Sequence, residues 1–486
     1  MFLYDTLSSK KKRFIPRNKK SVDLFVCGPT VYDYSHIGHG RTYIFFDALT
    51  KYLRMQKFNV RYVQNITDID DKIIARAQRE STPWNELAHK FEQEYYADMQ
   101  ALGVSSITKY ARATDYMAAI IHQIETLIKK GFAYQTKTGV YFEVAKFSDY
   151  GKLSGQKLAM IRKAARTEID PTKKQPEDFA LWKMSKIGEP FGGTQGEPSW
   201  SSPWGDGRPG WHIEDTAITE TEFGAQYDIH GGARDLIFPH HESEIAQMEA
   251  SSGKKPLVRY WLHTGFLTIG AEKMSKSLGN FITIRSLLSR YSAQDFRLFV
   301  LGKHYRSPIS YDEKYMREAR GQRMRVEEFI RRLSDVLASS SARSELVERV
   351  EEKGKSSVTT AAAITRFQKQ FWTKLADDFN TPQALAVLSK LMTYFNARLD
   401  KNTVDKADAK KIIAFLHSVD DVLGIIEWNK TQTQEIPVAI QDLVAKREFL
   451  RAEKKWQEAD DARKEIDSQG YVIEDTSEGP KIHAKG

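Results

Sequence analysis

The chain has 486 residues, a formal net charge of +9, 41% hydrophobic and 28% charged residues, and a single cysteine. That length suits roughly three domains rather than one; no apolar run approaches the ~20 residues that span a bilayer, and one cysteine excludes an intramolecular disulfide. The basic cluster at 10–20 lacks the apolar segment of a secretory signal, and the cationic excess suits a polyanionic partner without identifying it.

In chain order, the apolar run 22–26 is β-branched and aromatic and is bounded by Gly28-Pro29, which predicts a buried strand. From Tyr43 onward apolar residues recur at helical spacing. The stretch between, VCGPTVYDYSHIGHGRT at 26–42, is therefore a strand-to-helix turn, where an α/β sheet places its ligand and free backbone N–H groups attract phosphate. His36 and His39 flank Gly38 there, and Cys27 sits at the strand end. A second strand is expected at 59–66, then TDIDDKI at 67–73 and another helix. This alternation implies a parallel, doubly wound sheet. Asp68, Asp70 and Asp71, at a helix start, have a plain reading as complements to its N-terminal dipole.

A helix is expected at 115–131 and a strand at 139–144, and 188–206, rich in Gly, Pro, Ser and Trp, reads as a long loop. A glycine turn follows at 228–235, and PHHESEIAQME at 239–249 opens a helix. Helices are then expected at 313–339, 341–353, 359–378, 381–399 and 405–423, with Thr381-Pro382 fitting an N-cap followed by proline at the first helical position. A polar linker at 429–435 leads to a charged helix at 441–468 and a turn and strand at 470–476.

HIGH at 36–39 and KMSKS at 273–277 resemble the two signatures of class I aminoacyl-tRNA synthetases. CGPTVYDYSHIGH, TDIDDKI, GRPGWHIED and FPHHESEIAQ resemble the cysteinyl-tRNA synthetase family in particular, and the likeness runs from the first residues to nearly the last. It implies an α/β Rossmann-like catalytic domain in two halves, 1–110 and 191–250, around an insertion at 111–190. A stem-contact region with the KMSKS loop at 251–311, a helical bundle at 312–428 and a small mixed α/β anticodon module at 429–486 complete the expected organisation. A near repeat of the second signature, KMSKI at 183–187, lies in the insertion, lacks the following Ser-Leu-Gly-Asn, and reads as chance similarity.

The resemblance implies activation of L-cysteine by ATP and its transfer to tRNA(Cys). His36, His39, Lys273 and Lys276 are the expected catalytic groups. Gly38, Gly231, Gly232, Asp235 and Lys276 are expected at ATP, with Mg²⁺ accompanying it, although the family's third glycine in the turn is Ala233 here. Thr67, Trp211 and His212 are expected to line the amino-acid pocket. The family selects cysteine over serine with Zn²⁺, which binds a soft thiolate far better than a hydroxyl. Carried over, its four ligands fall on Cys27, Asp215, His240 and Glu244, with Asp215 standing where the family has cysteine. Aspartate is an acceptable zinc ligand of the same charge as a thiolate, so the expectation is that Asp215 ligates; an empty or three-ligand site is the rival. Arg451, Trp456, Asp460 and Asp475 are expected to read the anticodon by stacking and hydrogen bonding.

A cytoplasmic monomer without an editing domain or membrane contact is expected. The competing readings are a ligase joining cysteine to an amino sugar, whose relatives lack the anticodon module, and a non-catalytic RNA-binding paralogue.

Overall fold

Strand parity decides which side of the central sheet Cys27 faces. In the computed structural model, which describes residues 1–157, 160, 170–185, 198–270, 272–273, 281–339, 356–428, 437–476 and 479–484, the first expected strand is β3 (Ser21–Val26), preceded by the hairpin β1 (Phe2–Asp5) and β2 (Lys10–Arg13). Val22, Leu24 and Val26 enter one hydrophobic core while Phe25 and Cys27 enter another, as a side-chain period of two requires.

The sheet is parallel and five-stranded, in the order β11 (Val258–Thr264), β10 (Tyr227–Ala233), β3, β4 (Asn59–Ile66), β5 (Lys109–Arg112). It is the doubly wound α/β arrangement that the strand–helix alternation implies. Helix α1 (Ile37–Met55) covers the Leu24/Val26 face. Helix α2 (Asp71–Glu80) and α3 (Trp84–Ala101) lie between β4 and β5 in the chain. Of the three aspartates assigned to a helix dipole, Asp70 caps α2 by accepting from Lys72 N. Asp68 instead accepts from Thr114, and Asp71 pairs with Lys183 and Arg208.

After α4 (Met117–Lys129), β6 (Ala133–Gln135), β7 (Gly139–Phe142) and β8 (Phe179–Met184) of the expected insertion form a four-stranded antiparallel sheet with β9 (Gly207–Pro209), which lies beyond its expected end. The lysine of the near repeat, Lys183, is thus a strand residue held by Asp71. Helices α5 (Trp211–Phe223) and α6 (Glu242–Ser252) pack on the Phe25/Cys27 face through Ile213, Ala217, Ile245 and Met248.

Beyond β11, a small sheet joins β12 (Leu267–Ile269), β13 (Glu272–Lys273) and β14 (Ile309–Tyr311), with the short helices α7 (Ile284–Leu288) and α8 (Ala293–Leu301) between. Four long helices follow: α9 (Glu313–Ala338), α10 (Ser356–Ala376), α11 (Thr381–Leu399) and α12 (Lys406–Leu423). The helix expected at 341–353 lies outside the described residues. Asn380, not Thr381, caps α11, accepting from Gln383 N, so the proline falls one place further in. Catalytic sheet and bundle share one continuous core, from Val22 through Phe46 and Phe299 to Leu391 and Leu416. Asp47 of α1 is buried against Arg297 of α8 at 2.8 Å, and Arg297 donates onward to Leu423 O at the end of α12.

The terminal module has its own small core of Ile440, Val444, Ile466 and Ile473. The single helix expected at 441–468 is two, α13 (Val438–Ala452) and α14 (Trp456–Ser468). Lys454 between them has φ 58°, a left-handed conformation no continuous helix contains. The hairpin of β15 (Tyr471–Thr476) and β16 (Gly479–Ala484) completes it.

Candidate metal centre and active site

Three segments far apart in sequence bring their side chains together in one buried cluster at the carboxyl end of β3. Cys27 Sγ lies 3.3 Å from Asp215 Oδ2, His240 Nε2 lies 3.0 Å from the same oxygen, and Glu244 Oε1 lies 3.1 Å from His240 Nε2. All four residues are buried, and one ligand atom from each lies within 4.8 Å of the others. Metal–ligand bonds of roughly 2.0–2.3 Å set tetrahedral edges of about 3.3–3.8 Å, so these separations are close to those a bound ion needs.

The donor chemistry also fits a cation. Asp215 Oδ1 is buried with no hydrogen-bond partner, and the buried Glu244 carboxylate faces the His240 and His230 rings at 3.1 and 3.5 Å, a convergence of acceptors that costs free energy unless a positive charge lies among them. Burial first, then the Asp215 and Glu244 charges, push the Cys27 thiol well above its ordinary range. Burial and Asp215 do the same to Glu244. A divalent ion reverses both shifts by favouring the deprotonated ligands.

The surrounding groups orient the ligands. His212 Nδ1 meets His240 Nδ1 at 2.7 Å, which leaves His240 Nε2 for the cluster. Trp211, half-exposed at the first position of α5, stacks on the His240 ring at 4.2 Å. A second donor group, Cys27, His230, His241 and Glu244, overlaps the first. His230 and His241 approach Cys27 Sγ at 3.3 and 3.1 Å, and are fixed from behind by Tyr227 OH at 2.6 Å and His263 at 2.8 Å. Burial pushes His212, His230 and His241 well below the usual imidazole range and His263 down to about 3, so these rings are neutral at pH 7. His230, His241, His263 and Tyr227 were not expected from sequence; the HH pair at 240–241 and the histidine of DIHGG carried the signal.

Thr67, expected at the amino-acid pocket, is buried. Its hydroxyl donates to Glu214 Oε2 at 3.0 Å, and Glu214 is buried and pushed well above the usual carboxylate range by burial and then by Asp215. Glu214, one position before Asp215, is a buried carboxylate that the sequence reading passed over.

His36 and His39 open α1. His36 is the N-cap: its Nδ1 accepts from His39 N at 3.3 Å, and the rings stack at 3.8 Å and 9°. Both stand at the N-terminus of α1, a position suited to phosphate. The segment after the second signature returns to this point, with Ile37 N bonded to Ile282 O and Ile284 N to Ser35 O. Lys276 lies outside the described residues, and Lys273 ends β13. Before the second signature, β13 pairs antiparallel with β12.

Gly231 and Gly232, expected in a turn at 228–235, lie within strand β10 and pair with β11. A Cβ on Gly231 would lie 2.2 Å from the Phe46 ring and one on Gly232 would lie 2.8 Å from His241, so internal packing uses the space. Asp235 is exposed on the turn that follows. In the terminal module Trp456 is 60% exposed, Asp460 is exposed, and Asp475 is clasped by Arg447 at 2.8 Å and Arg451 at 2.8 Å.

Comparison with known proteins places this arrangement. Residues 13–321 match the family model described as tRNA synthetases class I (C) catalytic domain, 370–427 a DALR domain, and 433–480 a cysteinyl-tRNA ligase anticodon binding domain. The fold resembles Mycobacterium tuberculosis methionyl-tRNA synthetase bound to methionyl-adenylate, with a TM-score of 0.61, 15% identity, and 83% and 92% of the two chains covered. It also resembles the Agrobacterium radiobacter LeuRS in its ternary complex with tRNA and LeuAMS, with a TM-score of 0.63, 11% identity, and 87% and 86% covered. Sheet, paired signatures and helical bundle define a class I aminoacyl-tRNA synthetase.

The Cysteine--tRNA ligase of Carboxydothermus hydrogenoformans is 43% identical over 483 residues, 99% of each chain, and that of Thermococcus onnurineus is 43% identical over 480 residues, 98% of each. The chain belongs to the cysteine–tRNA ligase family, and its substrates are ATP, the amino acid and tRNA. Among the described residues, no helix is long and apolar enough to cross a membrane.

Proposed function

We propose that the chain activates L-cysteine with ATP to cysteinyl-adenylate and pyrophosphate, then esterifies the terminal ribose of tRNA(Cys), selecting cysteine through a zinc ion held by Cys27, Asp215, His240 and Glu244. The observation that carries the metal reading is the convergence of these four buried ligand groups, with Asp215 Oδ1 left without a hydrogen-bond partner. When bound, the ion supplies a soft-accepting open position that prefers a thiolate to a hydroxyl by more than the one-atom difference in pocket shape provides.

The chain's own residues do the rest. His212 holds His240 in the tautomer that turns Nε2 inward. Trp211 lies over the ligand's outer face, and Thr67 with Glu214 lines the pocket for the substrate ammonium. His36 and His39 donate to the α-phosphate, where charge develops as pyrophosphate leaves, and Lys273 and Lys276 approach the triphosphate from the neighbouring loop. Gly38 admits the nucleotide, Asp235 meets a ribose hydroxyl, and Mg²⁺ accompanies ATP. Gly231 and Gly232 shape this floor by letting Phe46 and His241 pack closely. In the module formed by 429–486, Arg451 and Trp456 stack on unpaired bases. Asp460 accepts from a base edge, and Asp475 sets the arginine positions. The enzyme works as a cytoplasmic monomer.

Amino-acid-dependent ATP–pyrophosphate exchange, with cysteine against serine and before and after zinc removal, tests this reading. Exchange with cysteine alone, lost with the metal and restored by zinc, is the expected result. Cysteine exchange that ignores zinc overturns the selection mechanism, and absence of exchange in the metal-replete protein overturns the chemistry.

A further inference from the structure

Charge is distributed very unevenly along this chain. Residues 1–20 contain seven lysines and arginines against one aspartate, a net +6 of the chain's +9. All four residues of β2, Lys10, Lys11, Lys12 and Arg13, are exposed, and Arg17, Lys19 and Lys20 are exposed in the connection to β3. Carboxylates meet two of the seven: Lys11 pairs with Asp377 at 2.7 Å and Lys12 with Asp5 at 2.6 Å. Among the described residues, none of the other five side chains has a carboxylate within ion-pair reach.

The segment that carries them is firmly fixed. Thr6 N bonds to Trp261 O and Trp261 N to Asp5 Oδ1 along the edge strand β11. Ile15 N bonds to Tyr260 OH, Arg17 N to Asp228 Oδ1, and Asn59 N to Lys20 O. At the other end, Asp378 N bonds to Phe2 O where the hairpin meets the α10–α11 corner of the bundle. The cations thus form a rigid strip that follows the edge of the catalytic sheet from the bundle to the amino end of β3.

Lysines on an edge strand also discourage strand-to-strand aggregation. That explains one or two charges on β2, but not Arg17, Lys19 and Lys20, which lie beyond the strand. Nor does the strip serve the nucleotide. Lys20 and Cys27 flank the two ends of a six-residue strand, which separates them by about 20 Å at ~3.3 Å per residue. A surface with this charge, length and distance from the cleft matches a polyanion much larger than ATP.

We propose that residues 10–20 form a docking strip for the sugar–phosphate backbone of the tRNA body, separate from the catalytic cleft and the anticodon module. The inference rests on tRNA being the substrate. Backbone contacts of this kind hold a nucleic acid in place without reading its sequence.

The test is salt-dependent binding of tRNA(Cys) transcript to the full chain and to Lys10→Ala/Arg13→Ala/Lys19→Ala/Lys20→Ala, which leaves the two ion-paired lysines intact. Each lost phosphate contact removes close to one unit from the slope of log affinity against log salt. The variant is expected to show a slope smaller by about 3 and a Kd roughly tenfold or more weaker at low salt, with an unchanged thermal midpoint. A charge-preserving variant, Lys10→Arg/Arg13→Lys/Lys19→Arg/Lys20→Arg, is expected to bind as the parent does. Kd and slope within twofold of the parent overturn the proposal, as does a charge-preserving variant that binds as weakly as the alanine one. Binding of the parent to phosphatidylserine vesicles with tRNA affinity unaffected by the alanine variant would assign the strip to a membrane surface instead, and overturns it too. Cysteine-dependent exchange by the parent, measured without tRNA, judges the proposed chemistry separately, so the two failures are distinguishable.

Discussion

At Asp215 a carboxylate is sealed between Cys27 and His240, with one oxygen lacking any donor. At Asp475 a carboxylate stands at the surface, clasped by Arg447 and Arg451. The same functional group meets a thiol and an imidazole in one place and cations in the other. In a buried cluster a convergence of acceptors is unfavourable until a cation enters, so the arrangement specifies a ligand. At the surface water screens the charge, so the contact fixes the direction of two guanidinium groups more than it stabilises the fold.

That contrast can be broken most severely at Asp215. Asp215→Ala is expected to drop bound zinc from about one per chain to below about a tenth, and to cut cysteine-dependent exchange by more than the ~10–100-fold typical of losing a group that merely orients a ligand. Metal analysis alongside exchange checks this, and full zinc with full activity would remove Asp215 from the ligand set. His212→Ala should fall within that 10–100-fold range in zinc affinity, because it frees the His240 ring without deleting a donor. Chelator competition measures it.

The buried acids give the comparison a pH dependence. Burial, then the Asp215 charge, raises both Glu214 and Glu244 in the metal-free protein. A raised folded-state pKa contributes stability that is present below the ordinary glutamate range and lost as pH rises through the folded value. The metal-free protein should therefore lose stability as pH rises above that range, while metal binding, which releases those protons, strengthens. Melting curves with and without zinc should diverge as pH is raised from 5 to about 8; parallel curves would contradict the assignment. The smallest effect belongs to the terminal module. Asp475→Ala should change stability by about 1 kcal/mol or less, yet weaken tRNA binding by releasing Arg451; a large loss of stability would make the clasp structural.

Sequence pattern went furthest where one segment acts alone. The alternation of β3 and the helical spacing of α1 placed His36, His39 and Cys27 at one strand end, and the family words placed Asp215, His240 and Glu244. What pattern did not carry was partnership. Thr67 could not be tied to Glu214, 147 positions away, nor His241 to His263, because only the packed sheet brings them together. Gly231 and Gly232 read as a turn, but both lie inside β10, where their missing Cβ atoms make room for Phe46 and His241. Periodicity ran straight through Lys454, since a single left-handed residue leaves no mark on an amphipathic pattern.

The chain's single cysteine makes one measurement unusually direct. Zinc-edge X-ray absorption counts sulfur at ~2.3 Å against nitrogen and oxygen at ~2.0–2.2 Å. The account predicts one sulfur with three nitrogen or oxygen neighbours in the zinc-loaded enzyme, two sulfurs after L-cysteine is added, and no change with L-serine. A shell that gains no sulfur from cysteine, or holds none before it, would contradict a zinc centre built on Cys27 and Asp215 that selects the substrate by its thiolate.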